Sequence, residues 1–189
     1  MNDAQTQSPA LVQTQLLSGW KGACIMTGVT AVCAQISFHI PTTPIPVVMQ
    51  VFAVLLSGLV LGARWGMVSQ LQYLALGLLG APVFALGKFG LPVLLGITGG
   101  YLIAYPLVAW LVGKLSEKSL TAETPQAQLK QKGFACVVGL GVLYTVGCTW
   151  FAFATGSTAI VSLFMGMAWF VLFDLVKAAL AVALSQSRR

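Results

Sequence analysis

From about Thr158 to Leu184 the chain is almost uninterruptedly apolar, and the two charges within it, Asp174 and Lys177, stand three residues apart. A helix needs about 20 mostly apolar residues to span a bilayer, so this segment predicts a membrane helix carrying an acid and a base inside it. The rest of the chain follows the same rule. Charged residues make up 7% of the 189 residues and hydrophobic residues 58%, whereas soluble domains carry roughly 25% charged residues. Such a chain has too little polar surface to cover itself in water. It predicts an all-α integral membrane protein.

Prolines and glycines divide the apolar sequence into six predicted spans. The first runs from Lys21 to about Ser37 and ends at "HIPTTPIP", His39 to Pro46, where three prolines break any helix. The second runs from about Val47 to Leu61, and "GARWG", Gly62 to Gly66, reads as a tight turn into a third from about Met67 to Leu79. Both are short, which places their ends in protein rather than lipid. "GAPVFALGKFGLPVLLGITGG", Gly80 to Gly100, is apolar but broken by glycine and proline. Irregular backbone at membrane depth is tolerated only where protein buries it or it lines a cavity, so this is read as a long folded loop. A fourth helix covers about Tyr101 to Leu115. Residues 116–132 read as a solvated loop, followed by a fifth helix from Gly133 to about Phe153, the turn "ATGST", and a sixth helix to about Ser185. One transmembrane domain is expected over 18–186, with a polar tail over 1–17, a basic end over 187–189 and no cleavable signal peptide.

The net charge of +6 assigns sidedness rather than a nucleic-acid partner. With both termini in the cytoplasm, Lys21, Arg64, Lys114, Lys118, Lys130, Lys132, Arg188 and Arg189 all fall on that side, and Lys88 alone falls outside. This is the bias that orients membrane proteins. It gathers the glycine- and proline-rich segments on the outer face.

Little in the sequence supports enzymatic chemistry. The single histidine, His39, and the four acids cannot build a metal cluster, and the four cysteines form no C-x-x-C pair. "GKF" at Gly87–Phe89 lacks the upstream glycine and the Ser/Thr of a P-loop. No metal, no cofactor and no ATPase is expected within the chain.

Binding is better supported. A charge at membrane depth is costly and usually faces the bundle interior or a cavity. Residues i and i+3 share a helix face, so Asp174 and Lys177 form either a polar site for a solute or a self-satisfied pair that locks packing. Gln50, just after "PIPVVM", is a second polar candidate, with Gln35, Gln70 and Gln72 as alternatives. "GITGGYL", with Gly99, Gly100 and Tyr101, opens the fourth helix, where free N–H groups suit an anionic or carbonyl group. Ala23, Thr27 and Ala31 make a small-residue stripe, read either as internal packing or as a docking face for a second membrane subunit.

Three stretches together, "QISFHIPTTPIPVVMQVFAVLLSGLVLGARWG", "YLALGLLGAPVFA" and "LLGITGGYLIAYPLVAWLVG", resemble the BioY family, and the resemblance resumes at "FDLVKAALA". In that family the corresponding motifs usually read P-x-P-x-T-x-Q, G-P-T-G-G-Y and P-G-D. Here Val48 or Met49 stands for the threonine of the first motif, Ile97 for the proline of the second and Phe173 for the glycine of the last. The resemblance implies the six-helix fold of a substrate-specific subunit (S component) of energy-coupling-factor (ECF) transporters, in the cytoplasmic membrane. It also implies biotin as ligand, held near the outer face, and a partner complex of a transmembrane coupling subunit with two ABC-type ATPases, although some members occur without a dedicated module.

The residues suit that ligand. Biotin has a cyclic urea, an apolar thioether bicycle and a carboxylate tail. Asp174 would accept ureido N–H bonds, and Gln50 would meet the same edge. Phe84, Tyr101, Trp150 and Trp169 are candidate walls, and Lys177 or Lys88 would meet the tail. Asp174 and Lys177 lie only about 4.5 Å apart along a helix axis, less than the length of the ligand, so Lys177 alternatively orients Asp174. An S component for another small heterocycle, or a membrane scaffold with a structural Asp–Lys pair, are the other readings.

Overall fold

The computed structural model describes residues 19–38, 45–117 and 124–186. The predicted tail, the basic end, residues 39–44 of the "HIPTTPIP" segment, His39 included, and residues 118–123 of the polar loop lie outside the described residues. The elements in chain order are α1 (Gly19–Gln35), β1 (Ser37–Phe38), β2 (Val47–Val48), α2 (Gln50–Leu78), a 3-10 turn (Ala85–Gly87), α3 (Leu91–Leu95), α4 (Gly99–Glu117), α5 (Pro125–Thr155), α6 (Ala159–Leu163), a π-helical turn (Phe164–Ala168) and α7 (Val171–Gln186). The strands form a two-residue antiparallel ribbon pairing Ser37 with Val48 and Phe38 with Val47.

Two of these helices, α2 and α5, are long and apolar enough to cross a membrane, and a third span results if α6 with its π-turn and α7, bent by 45° at their junction, count as one. α2 is not a straight rod, however. Gly62 has φ 75° and ψ −176°, outside the helical region and open to glycine, and the chain folds back there. Gln70 reaches Ser57 and Gln50 reaches Tyr73 across the two arms. Each arm is shorter than a bilayer is thick, as the sequence predicts. The "GARWG" turn is tighter than expected, because Gly62 alone leaves the helix and 63–66 already belong to the second arm.

Hydrophobicity alone does not distinguish the inner from the outer faces, and buried small and polar residues accompany the apolar core. Leu79, Phe153 and Leu172 are 85%, 84% and 74% exposed, while Thr30, Ser57, Ser69 and Gln70 are buried. This is the pattern of a chain solvated by lipid, where close backbone approach and interhelical hydrogen bonds hold helices together. The Gln70 amide donates to Thr30, Ser57 and Ser69 hydroxyls, all at 3.2 Å. It thereby ties α1 to both arms of α2. α2 packs most extensively on α4, where a Cβ on Gly113 would stand 2.3 Å from the Ala63 nitrogen.

Two further boundaries differ from the sequence reading. α5 begins at Pro125, within the segment read as loop. Thr124 caps it by accepting from the Ala127 N–H at 3.2 Å, and Pro125 suits the first helical position. The sixth predicted helix is interrupted between α6 and α7. At the π-turn the Gly166 carbonyl accepts from the Tyr101 hydroxyl at 2.8 Å, an outside partner of the kind that accompanies such breaks.

The helix ends gather in two groups. Lys132 donates to the Ser185 carbonyl and hydroxyl at 3.2 and 3.1 Å, joining the start of α5 to the end of α7. A Cβ on Gly62 would lie 3.8 Å from a Glu117 carboxylate oxygen, which places the α2 fold-back and the end of α4 at that same end. The ribbon, the 80–98 segment and the start of α4 lie at the other.

Candidate functional site

At the end that carries the ribbon and the 80–98 segment, the elements enclose a cavity of about 380 Å³, within the usual range for small-molecule sites. Its walls come from the start of α2, the 84–98 segment, α4, α5, the π-turn and α7. Asp174, Lys177, Gln50, Tyr101, Phe84 and Lys88 all line it, so six sequence-predicted residues from four separate regions meet in one place.

Asp174 and Lys177 are 3% and 6% exposed. Lys177 donates to Asp174 Oδ1 at 2.7 Å and to the Val48 carbonyl of β2 at 2.8 Å. The Tyr144 hydroxyl donates to Asp174 Oδ2 at 2.5 Å. The carboxylate is braced at both oxygens, and each keeps acceptor capacity. Lys177 has three protons and spends two within the protein. The pair therefore presents an acceptor beside a donor, the complement of an adjacent N–H and C=O. The ammonium contacts Asp174 directly, the geometry that the orienting one of its two expected roles requires.

The other polar groups are equally fixed. The Gln50 side-chain amide donates to the Tyr73 hydroxyl, which donates to the Val83 carbonyl at 3.0 Å. Thus Gln50 is held by α2's other arm. Phe84 is 1% exposed and meets Tyr73 edge-on at 5.5 Å. It fits because Gly77 has no side chain: a Cβ there would lie 2.1 Å from its ring. Lys88, at the rim, is exposed.

Several predicted roles are corrected. Gly99 and Gly100 do not line the cavity. Their Cβ atoms would stand 1.7 Å from the Leu94 carbonyl oxygen and 2.2 Å from Trp150 Cβ, so they are glycine for packing. Trp150 is not a wall: its indole N–H donates to the Gly96 carbonyl at 2.9 Å and supports the α3–α4 turn from behind. Trp169 packs edge-on against Phe164 at 5.9 Å, also outside the lining. The stripe of Ala23, Thr27 and Ala31 is an internal contact rather than a docking face. Ala23 is 0% exposed, the Thr27 hydroxyl bonds the Ser69 carbonyl at 2.8 Å, and Ala31 packs partly buried against the core.

Sequence reasoning missed Tyr144, Tyr105, Phe170 and Thr98, which also line the cavity. Tyr144 and Tyr105 left the same general signal, a hydroxyl inside an apolar helix that needs a partner, with nothing in the sequence to say which partner.

A family model described as the BioY family matches residues 12–189. The chain belongs to the BioY family. It is 40% identical over 160 residues to the biotin transporter BioY of Thermotoga maritima, covering 84% of this chain and 89% of that one. It is 37% identical over 162 residues to the probable biotin transporter BioY of Pyrococcus horikoshii, covering 86% and 90%. Its fold matches the crystal structure of the S-component for biotin from an ECF-type ABC transporter with a TM-score of 0.80, at 26% identity, over 99% of this chain and 93% of that one. The braced Asp174–Lys177 pair is thus set in a BioY-family fold.

Proposed function

We propose that this chain binds biotin as the substrate-specific subunit of an ECF-type transporter, alone or with a coupling subunit and two ABC-type ATPases. On this reading it sits in the cytoplasmic membrane with six spans and both termini inside, and captures ligand from the outer face. It performs no covalent chemistry, and ATP hydrolysed by partner subunits would drive release.

The observation that carries this is the braced Asp174–Lys177 pair at an otherwise mostly apolar cavity. A cyclic urea offers an N–H next to a C=O. Asp174 accepts the first, and the remaining Lys177 proton meets the second. Charge-assisted bonds of this kind are the stronger ones. Phe84 and the tyrosines cover the bicycle, Gln50 adds an amide, and the tail carboxylate extends to Lys88.

The test is an equilibrium titration of biotin into detergent-purified protein, with two variants. Asp174→Asn leaves Lys177 buried without its counter-charge and lowers both affinity and stability. Asp174→Asn combined with Lys177→Met removes both charges, which commonly restores stability. Biotin affinity stays down by at least about a hundred-fold, as the loss of charged hydrogen bonds requires. Recovery of both stability and biotin binding in the double variant would identify a structural pair. Saturable binding of a different heterocycle in place of biotin would reassign the ligand.

A further inference from the structure

Gln35 is one of the polar residues that the sequence marks and the binding reading leaves unused. It ends α1, is exposed and does not line the cavity. Yet its side chain is fully engaged with the segment that does. Its Oε1 accepts from the Gly87 N–H at 3.0 Å. Its Nε2 donates to the Phe84 carbonyl at 3.2 Å, with the Val83 and Pro82 carbonyls at 3.4 Å. One amide thus binds both ends of the 3-10 turn that carries Leu86 to the cavity and leads into Lys88.

That turn needs holding. Leu86 has φ 62° and is the only non-glycine residue with positive φ among those described. Side chains other than glycine disfavour that region, and it persists where surroundings over-determine it. Gly87 follows at φ 69°. Phe84 is anchored independently by Tyr73 and Gly77, and beyond the turn the Gly90 N–H donates to the Gly77 carbonyl at 2.7 Å. Between those anchors the turn's own bonds are Phe84 N–H to the Lys88 carbonyl at 3.0 Å and Lys88 N–H to the Ala85 carbonyl at 3.4 Å. Among the described residues, the Gln35 amide is the side chain that hydrogen-bonds this turn to the rest of the fold.

We infer that Gln35 is a positioning residue for ligand binding: it fixes the strained Ala85–Gly87 turn so that Lys88 stands at the rim of the cavity, ready for an anionic ligand tail. This rests on the biotin reading for the identity of the tail, but not for the turn itself.

Two measurements test it. The first needs no ligand. Sub-second amide exchange over residues 84–88 is expected to accelerate in Gln35→Ala. Gln35→Glu, which keeps an acceptor for the Gly87 N–H, is expected to be intermediate. The second compares biotin with its uncharged tail amide. Gln35→Ala is expected to weaken biotin by about ten-fold through faster dissociation, the scale of one charge-assisted contact. The amide should be almost unaffected. Lys88→Ala should produce the same selective loss, and the double variant no more than either alone. Unchanged exchange in Gln35→Ala overturns the inference, as does an equal loss for acid and amide. Faster exchange in a protein that binds no biotin would sustain the positioning of the turn and sink the biotin reading alone.

Discussion

Asp174 holds its place through two donors on different elements, and they contribute differently. Lys177 belongs to the same helix and brings a charge; Tyr144 reaches across from α5 and brings geometry. Tyr144→Phe keeps the ring, and with it the wall of the cavity, while removing the proton donated to Oδ2. A hydrogen bond to a charged group is worth about 1.5–3 kcal/mol, so Tyr144→Phe is expected to unfold more easily by an amount in that range. It should also weaken biotin about ten-fold as Asp174 loses its fixed orientation. Thermal unfolding and a biotin titration on the same preparation check both; an unchanged biotin affinity would show that Lys177 alone sets the carboxylate. Asp174 and Lys177 were legible in the sequence because a charge in an apolar run has few explanations. Tyr144 was not, because its partner lies 30 residues away on another helix, and distance along the chain hides such pairs.

At the scale of elements, glycine carries more of the fold than composition suggests, and position decides its effect. Replacing a helical glycine by alanine normally stabilises by up to about 1 kcal/mol. Gly141, whose added Cβ would meet nothing within 4 Å, should follow that rule. Gly113 should reverse it, because its Cβ would press on the α2 backbone at 2.3 Å and backbone cannot step aside. Gly113→Ala is expected to lose about 2 kcal/mol or more, in the range of overpacked contacts, against a neutral or slightly positive Gly141→Ala. Equal thermal stability of the two in detergent would contradict the close α2–α4 packing. Propensity rules located most helices here, since proline and glycine punctuate local structure. They failed where tertiary contact overrides them: the π-turn at Gly166, held by Tyr101, and the packing glycines Gly99 and Gly100, which looked like a ligand-facing nest. The start of α5 is a different failure, since Thr124 and Pro125 are a readable cap that the surrounding charges obscured.

For the whole molecule, what matters is that the two groups of helix ends differ in chemistry. The cavity end carries the ribbon, the irregular 80–98 segment and Lys88. The opposite end carries Gly62 with the neighbouring Arg64, Glu117, and the Lys132–Ser185 clasp. The charge bias in the sequence predicts the cytoplasmic side for that second group, and the fold gathers its members at one end of the bundle, which local sequence alone does not show. Sidedness then becomes a direct measurement. In a Cys24→Ala background, Cys24 being the exposed cysteine among those described, Lys88→Cys should react with a membrane-impermeant maleimide added to intact cells. Arg64→Cys should react only after permeabilisation. Biotin should slow labelling at position 88, because that residue lines the cavity, and leave position 64 untouched. Labelling of Arg64→Cys in intact cells would invert the topology, and the cavity would then face the cytoplasm, where it could not capture an external solute. Outside labelling at 88 without protection by biotin would keep the topology and remove the rim from the ligand's path. The two positions together therefore separate how the molecule sits in the membrane from what it holds there.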